Sequence, residues 1–129
     1  MSDFKKDELE VLRILWAEPD LKPADIQQRF HRAIENATLR SVLRALVSAG
    51  KLNRKKRGKA YHYRALVSKQ GVLSSMANRM AQVFADGSTA DFIAALVRAE
   101  KLSPEEVDEL KRVAEGAADS EFQEGSRDE

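Results

Sequence analysis

Two groups of side chains in this chain have the types and spacing to grip a polyanion. The first is Thr38, Arg40, Ser41 and Arg44, within NATLRSVLRALVSAG at residues 36–50. The second is RKKRGKAYHYRA at residues 54–65, where six cations and no acid fall in twelve positions. A guanidinium is a planar fork that bonds two acceptors at once, on a phosphate or on the guanine edge. Short hydroxyls bond a phosphate or a base edge, and lysines add charge that displaces counterions from a nucleic-acid backbone. No other grouping has comparable weight. The chain has no cysteine, which excludes disulfides, thiolate catalysis and Cys-based zinc sites. The two histidines, His31 and His62, are too far apart in sequence for a paired metal motif and read as surface residues. Asp7, Glu8 and Glu10 read as first-turn helix acids rather than a catalytic pair. There is no glycine-rich phosphate loop, nucleophile elbow or Ser/His/Asp grouping. The sequence therefore implies no enzyme, no cofactor and no metal.

At 129 residues, with 43% apolar and 33% charged content, the chain has room for one domain or two small units with a packed interior. No apolar run approaches the length of a membrane span, and MSDFKKDELE lacks the apolar core of a signal peptide. A bacterial cytoplasm is the expected compartment. The formal net charge of +1 conceals an asymmetry: residues 1–67 carry 15 Lys/Arg against 8 Asp/Glu, and residues 68–129 carry 7 against 13. A basic half suits a polyanion, and an acidic half suits protein contacts.

The positioning elements follow from periodicity. DELEVLRILWAE, with Leu9, Leu12, Leu15 and Trp16 at helical spacing, predicts a first helix ended by Pro19 and Asp20. Pro23 opens a second, ADIQQRFHRAI, with Ile26, Phe30 and Ile34 inward. After a short linker, a third helix is capped by Asn36 or Thr38 and stopped by Gly50. Its apolar stripe is Leu39, Val42, Leu43, Leu46 and Val47, so Ala37, Arg40, Ser41, Arg44 and Ser48 face outward with no acid among them. KLNRKK and KAYHYRAL then pair as a hairpin about Arg57-Gly58, with Tyr61 and Tyr63 leaning on the helices. Beyond Ser68 come three amphipathic helices. The first bears Val72 or Leu73, Met76, Met80 and Val83/Phe84 and ends at Gly87. The second is capped by Ser88 and lined by Phe92, Ile93, Leu96 and Val97. The third starts at the capping box Ser103-Pro104-Glu105-Glu106, carries Val107, Leu110 and Val113, and stops at Gly116.

Helix, helix, helix, basic hairpin is the plan of a winged helix-turn-helix, and the predicted class is mainly α with one small β-hairpin. The third helix would enter the major groove of double-stranded DNA. The wing cations Arg54, Lys55, Lys56, Arg57 and Lys59 would follow the adjacent backbone. Two other readings share these residues: a winged-helix module that grips an acidic protein, and an RNA-binding winged helix, which the scarcity of exposed aromatics disfavours.

DELEVLRILW, TLRSVLRALVSAGKL and RGKAYHYRALVS, in this order and register, resemble the penicillinase-repressor family (BlaI/MecI-like, with CopY-related members), from about Phe4 to Glu115. The resemblance implies a homodimeric repressor of a palindromic operator. Residues 1–67 would form the DNA-binding domain and 68–116 a three-helix dimerisation domain, leaving 117–129 as a flexible polar tail. It places Thr38, Arg40, Ser41 and Arg44 on the recognition helix. Leu73, Met76, Met80, Phe84, Phe92, Ile93, Leu96 and Leu110 fall in the dimerising half. Members of the family are released from DNA by cleavage of an Asn-Phe bond by a membrane sensor-protease. The matching pair here is Asp91-Phe92. Ala45 stands where members commonly carry arginine, and Lys5 and Lys22 stand at helix-cap positions that are commonly Ser or Thr. The copper-sensing branch uses C-terminal cysteines, which this chain lacks.

Overall fold

A computed structural model of the chain describes residues 4–117; the tail from residue 118 onward lies outside the described residues. The elements are α1 (Lys6–Ala17), α2 (Pro23–Arg29), α3 (Asn36–Ser48), β1 (Leu52–Arg57), β2 (Ala60–Ala65), α4 (Lys69–Phe84), α5 (Thr89–Ala99) and α6 (Pro104–Ala117). They fall into two compact units divided between Val72 and Leu73.

The first unit holds nearly all of the buried apolar surface. Val11, Leu12, Ile14 and Leu15 of α1 meet Ile26 of α2 and Leu39, Leu43 and Leu46 of α3, with Leu52 and Tyr63 of the hairpin closing the cluster. Leu9 and Trp16 lie at its margin, so α1 buries a stripe turned slightly from the one its leucines suggest. Trp16 has a second role: its Nε1–H donates to the Val67 carbonyl at 2.9 Å and ties the end of α1 to the segment after β2. Lysine cannot accept a cap bond, so α1 and α2 begin with half a capping box. Glu8 accepts from the Lys5 N–H at 3.0 Å, and Asp25 from the Lys22 N–H at 3.3 Å.

α2 is shorter than its apolar spacing predicts. Phe30 is already extended, at φ −65° and ψ 146°, and residues 30–35 form an irregular connection instead of a final helical turn. Phe30 and Ile34 are both buried, so an i,i+4 apolar pair was imitated by two anchors of a loop. Side chains satisfy the exposed peptide groups: Gln27 Nε2 donates to the Ile34 carbonyl at 2.8 Å, and the His31 N–H donates to Glu10 at 3.2 Å. α3 begins at Asn36 after Glu35, with no side-chain cap from Asn36 or Thr38. It ends in a Schellman motif: Lys51 N–H donates to Leu46 O at 2.9 Å, Gly50 N–H to Val47 O at 3.0 Å, and Gly50 has φ +77°.

β1 and β2 pair antiparallel from Leu52↔Ala65 to Arg57↔Ala60, which makes Gly58-Lys59 the turn, one residue later than the sequence suggested. Gly58 has φ +64° and Lys59 does not share a positive φ, the pattern of a II′ hairpin. The far edge of β2 is not free. Leu21 exchanges both backbone bonds with Tyr63, at 3.2 and 2.8 Å, adding a single-residue third strand from the α1–α2 loop.

In the second unit, Ser88 Oγ caps α5 by accepting from the Asp91 N–H at 3.1 Å. Ser103 and Glu106 make the reciprocal capping box at the start of α6. The Phe84 and Phe92 rings stack at 6.4 Å between centroids, and Thr89 Oγ1 donates to Asn78 Oδ1 at 3.2 Å. α6 runs through Gly116 rather than stopping there. Much of the apolar surface stays in solvent: Leu73, Val83, Phe84, Ile93 and Val113 are each more than half exposed.

Replacing Trp16 with Phe keeps the ring but strands the Val67 carbonyl. The expected loss is about 1 kcal/mol, in the range of one net hydrogen bond. Urea unfolding measures it, and an unchanged midpoint would show that the indole bond contributes nothing.

Candidate nucleic-acid interface

α3 presents its candidate residues because of what it buries. Leu39, Leu43 and Leu46 are essentially inaccessible, so the opposite face, bearing Thr38, Arg40, Ser41, Arg44, Ala45 and Ser48, stands in solvent. Asn36 fixes one of these. Its Oδ1 accepts from Arg40 Nε at 2.7 Å, one turn along, leaving the guanidinium charged. Arg44 has no acidic partner among the described residues. The face is thus cationic and acid-free, as its sequence predicts.

The hairpin sorts its cations onto two faces. Leu52, Arg54 and Lys56 share a face with Tyr63 and Tyr61; Lys55 and Arg57 share the other with His62 and Arg64. Tyr63 is buried and anchors the hairpin, but Tyr61 is 40% exposed and does not lean on the helices. Its ring lies under the Arg54 guanidinium at 4.6 Å and within 6.0 Å of Lys56 Nζ. On the other face Asp20, from the α1–α2 loop, receives Arg57 Nη2 at 3.2 Å and Arg64 Nε at 3.8 Å. Lys55 and Lys59 are exposed and have no acidic partner among the described residues. Asp20 and Arg64 escape a reading of charge runs, because nothing in the sequence brings a loop aspartate to the wing. The available signal was Asp20 itself, between Pro19 and Leu21: it adopts φ +66°, a left-handed conformation that Asp tolerates better than most residues.

Between the start of α1 and the outer side of α3 lies an open groove of about 560 Å³, lined by Lys5, Lys6, Asp7, Glu8, His31, Arg32, Ser41, Val42 and Ala45. Arg32 crosses to Asp7 at 2.6 Å and holds the α2–α3 connection to α1. Beside the groove, the hydrogen bond from Arg13 keeps the Glu10 carboxyl below the usual glutamate range. His31 adds a smaller effect against the opposing cost of burial. Ala45 leaves the groove wall without a long side chain. These groups supply donors and positive charge but no nucleophile poised on a base. Among the described residues no cluster of three or more His, Asp or Glu could hold a metal, and no helix is long and apolar enough to cross a membrane.

The nine residues of the expected interface divide between two elements: four lie on α3 and five along β1 and its turn. The leucines, methionines and phenylalanines expected to pair two copies lie on α4, α5 and α6; Leu73, Met76, Met80, Phe84, Ile93, Leu96 and Leu110 are exposed, and Phe92 is half-buried. Asp91 and Phe92 both lie in the first turn of α5.

Solved structures with the same architecture are transcription regulators. The multiple antibiotic-resistance repressor MarR of Listeria monocytogenes superposes with a TM-score of 0.51 at 18% identity, covering 88% of this chain and 71% of that one. The PcaV regulator of Streptomyces coelicolor, solved with its natural ligand, gives 0.48 at 24% identity over 90% of this chain and 78% of its own. FabT of Streptococcus pneumoniae, solved with DNA, gives 0.46 at 17% identity, covering 88% and 78%. At 18% identity the likeness to the Listeria repressor is one of fold alone. No curated protein sequence matches the chain. The penicillinase-repressor family model does match, over residues 5–116, which spans α1, the acid-free face of α3, the wing and all three later helices. The chain belongs to the penicillinase-repressor family, and it is a DNA-binding transcriptional repressor rather than an enzyme.

Proposed function

We propose that the protein binds a palindromic operator as a homodimer. Thr38, Arg40, Ser41 and Arg44 of α3 meet base edges and phosphates in the major groove. Arg54, Lys55, Lys56 and Lys59 of the wing meet the adjacent backbone, with Arg57 behind them on Asp20. The observation that carries this reading is the outer face of α3, which exposes two arginines and three hydroxyls without an acid beside a cationic hairpin. A two-fold dimer sets its two α3 helices about 34 Å apart, or a multiple of that, to match successive turns of the duplex.

The partner surface in this reading is the apolar face of α4–α6, centred on Leu73, Met76, Met80, Phe84, Phe92, Ile93, Leu96 and Leu110. A monomer rarely leaves so much contiguous apolar surface in water. Release from the operator by a membrane sensor-protease would fall at Asp91-Phe92. The Asp91 N–H is bonded to Ser88 Oγ at 3.1 Å inside a helical turn, so the first turn of α5 has to unwind before a protease can reach that bond. The expected setting is a bacterial cytoplasm.

A mobility-shift titration with operator-containing DNA should give an affinity that falls with salt, with a log–log slope of roughly −0.9 per phosphate contacted. Salt-independent retention, or none, would overturn the DNA reading and favour a protein-binding wing. Arg44→Ala should cost about 1–3 kcal/mol and relax discrimination at one base pair if Arg44 reads a base. An equal loss on every sequence would make it a phosphate clamp instead. Sedimentation at micromolar concentration should give twice the 14.5 kDa chain mass. Phe84→Glu should shift it toward the monomer, and a wild-type chain that sediments as a monomer defeats the dimer.

A further inference from the structure

The wing carries six cations, but the structure does not treat them alike. Arg57 and Arg64 are drawn to Asp20, whose side chain is only 31% exposed while it serves both. Arg54 and Lys56, on the opposite face, have no acid within reach among the described residues and are ordered instead by the Tyr61 ring. These two kinds of partner have different electrostatic consequences. A carboxylate offsets positive charge beside it, and a guanidinium it holds is not free to displace a counterion from a phosphate. An aromatic face attracts a cation through its quadrupole but carries no net charge, so the cation keeps its full charge while its side chain loses freedom.

We propose that the wing is two-sided toward DNA. Arg54 and Lys56, pre-ordered on Tyr61, contact phosphate together with Lys55 and Lys59, which have no acidic partner among the described residues, and Asp20 is an internal counter-anion that holds Arg57 and Arg64 back from it. Resting on the DNA-binding reading, this assigns Asp20 the role of a specificity-determining residue that touches no DNA. A phosphate that took Arg57 or Arg64 would replace one anion by another and leave the Asp20 carboxylate facing the duplex. By offsetting one positive charge and holding both guanidiniums off the backbone, Asp20 limits the sequence-independent part of the affinity and leaves a larger share of discrimination to α3.

The test is fluorescence anisotropy of the full chain on a labelled mixed-sequence duplex across a salt series. Each variant is first confirmed folded by its urea transition. Arg54→Ala and Lys56→Ala should each flatten the log–log slope by roughly 0.9, the value of one phosphate contact. Arg64→Ala should leave the slope where it was. Asp20→Asn keeps the shape and the tolerance of a left-handed backbone, and should steepen the slope by about 1–2 as it frees two cations. Tyr61→Leu should weaken binding with the slope retained, because both charges remain. A flattening by Arg64→Ala equal to that of Arg54→Ala, or an unchanged slope in Asp20→Asn, overturns the two-sided wing while the wild-type slope upholds DNA binding. A wild-type chain with no salt-dependent binding defeats both.

Discussion

The structure depends first on the burial of one stripe of α3. Leu39, Leu43 and Leu46 are withdrawn from water completely, and the other elements of the first unit are arranged to cover them. Four apolar residues of α1 lie against that stripe, Ile26 and the two loop anchors Phe30 and Ile34 close one side, and Leu52 and Tyr63 close another. Full burial of a leucine side chain is worth about 1.5–3 kcal/mol relative to exposure. Rotating α3 by even one position would forfeit several such terms, so the rotation of the helix is fixed, and with it the set of residues on its outer face. The selection of Arg40, Ser41 and Arg44 for the surface is thus a consequence of packing. Their chemistry is free to vary because they contribute nothing to the core.

The hairpin is tied to the same core by different means. Tyr63 inserts its side chain, while its backbone exchanges two bonds with Leu21. That bridge brings the α1–α2 loop alongside the wing and sets Asp20 beside Arg64 and Arg57. Exposed ion pairs contribute little to stability, typically below about 1 kcal/mol. Their importance here is positional, since they set Arg57 and Arg64 apart from the wing cations that have no acidic partner among the described residues.

Periodicity made the helices legible, and glycines in left-handed positions made the ends of α3 and the hairpin turn nearly so. The reading failed where one residue type serves two purposes. Phe30 and Ile34 have the spacing of a helical stripe but anchor a loop, because Glu10 takes the His31 N–H that a helix would have bonded itself and Gln27 holds the Ile34 carbonyl. Tyr61 and Tyr63 share a strand face, yet only the one opposite Arg54, nearer the helices, reaches the core; the hairpin outruns the helices before Tyr61. Asp20 could not be placed from the sequence at all, since its partners lie 37 residues and more along the chain. The cationic outer face of α3 was the most legible part of the site, because it depends on local helical geometry alone.

The join between α3 and β1 has a consequence of its own. The Schellman motif closes the helix, Lys51 bonds back to Leu46 and accepts from the Leu66 N–H at 2.8 Å, and Leu52 is already buried. No slack remains between α3 and the wing beside it. The two behave as the jaws of a fixed calliper. On the proposed reading, a duplex seated against α3 would meet the wing at a set spacing, and DNA of the wrong groove width would have to deform to be held.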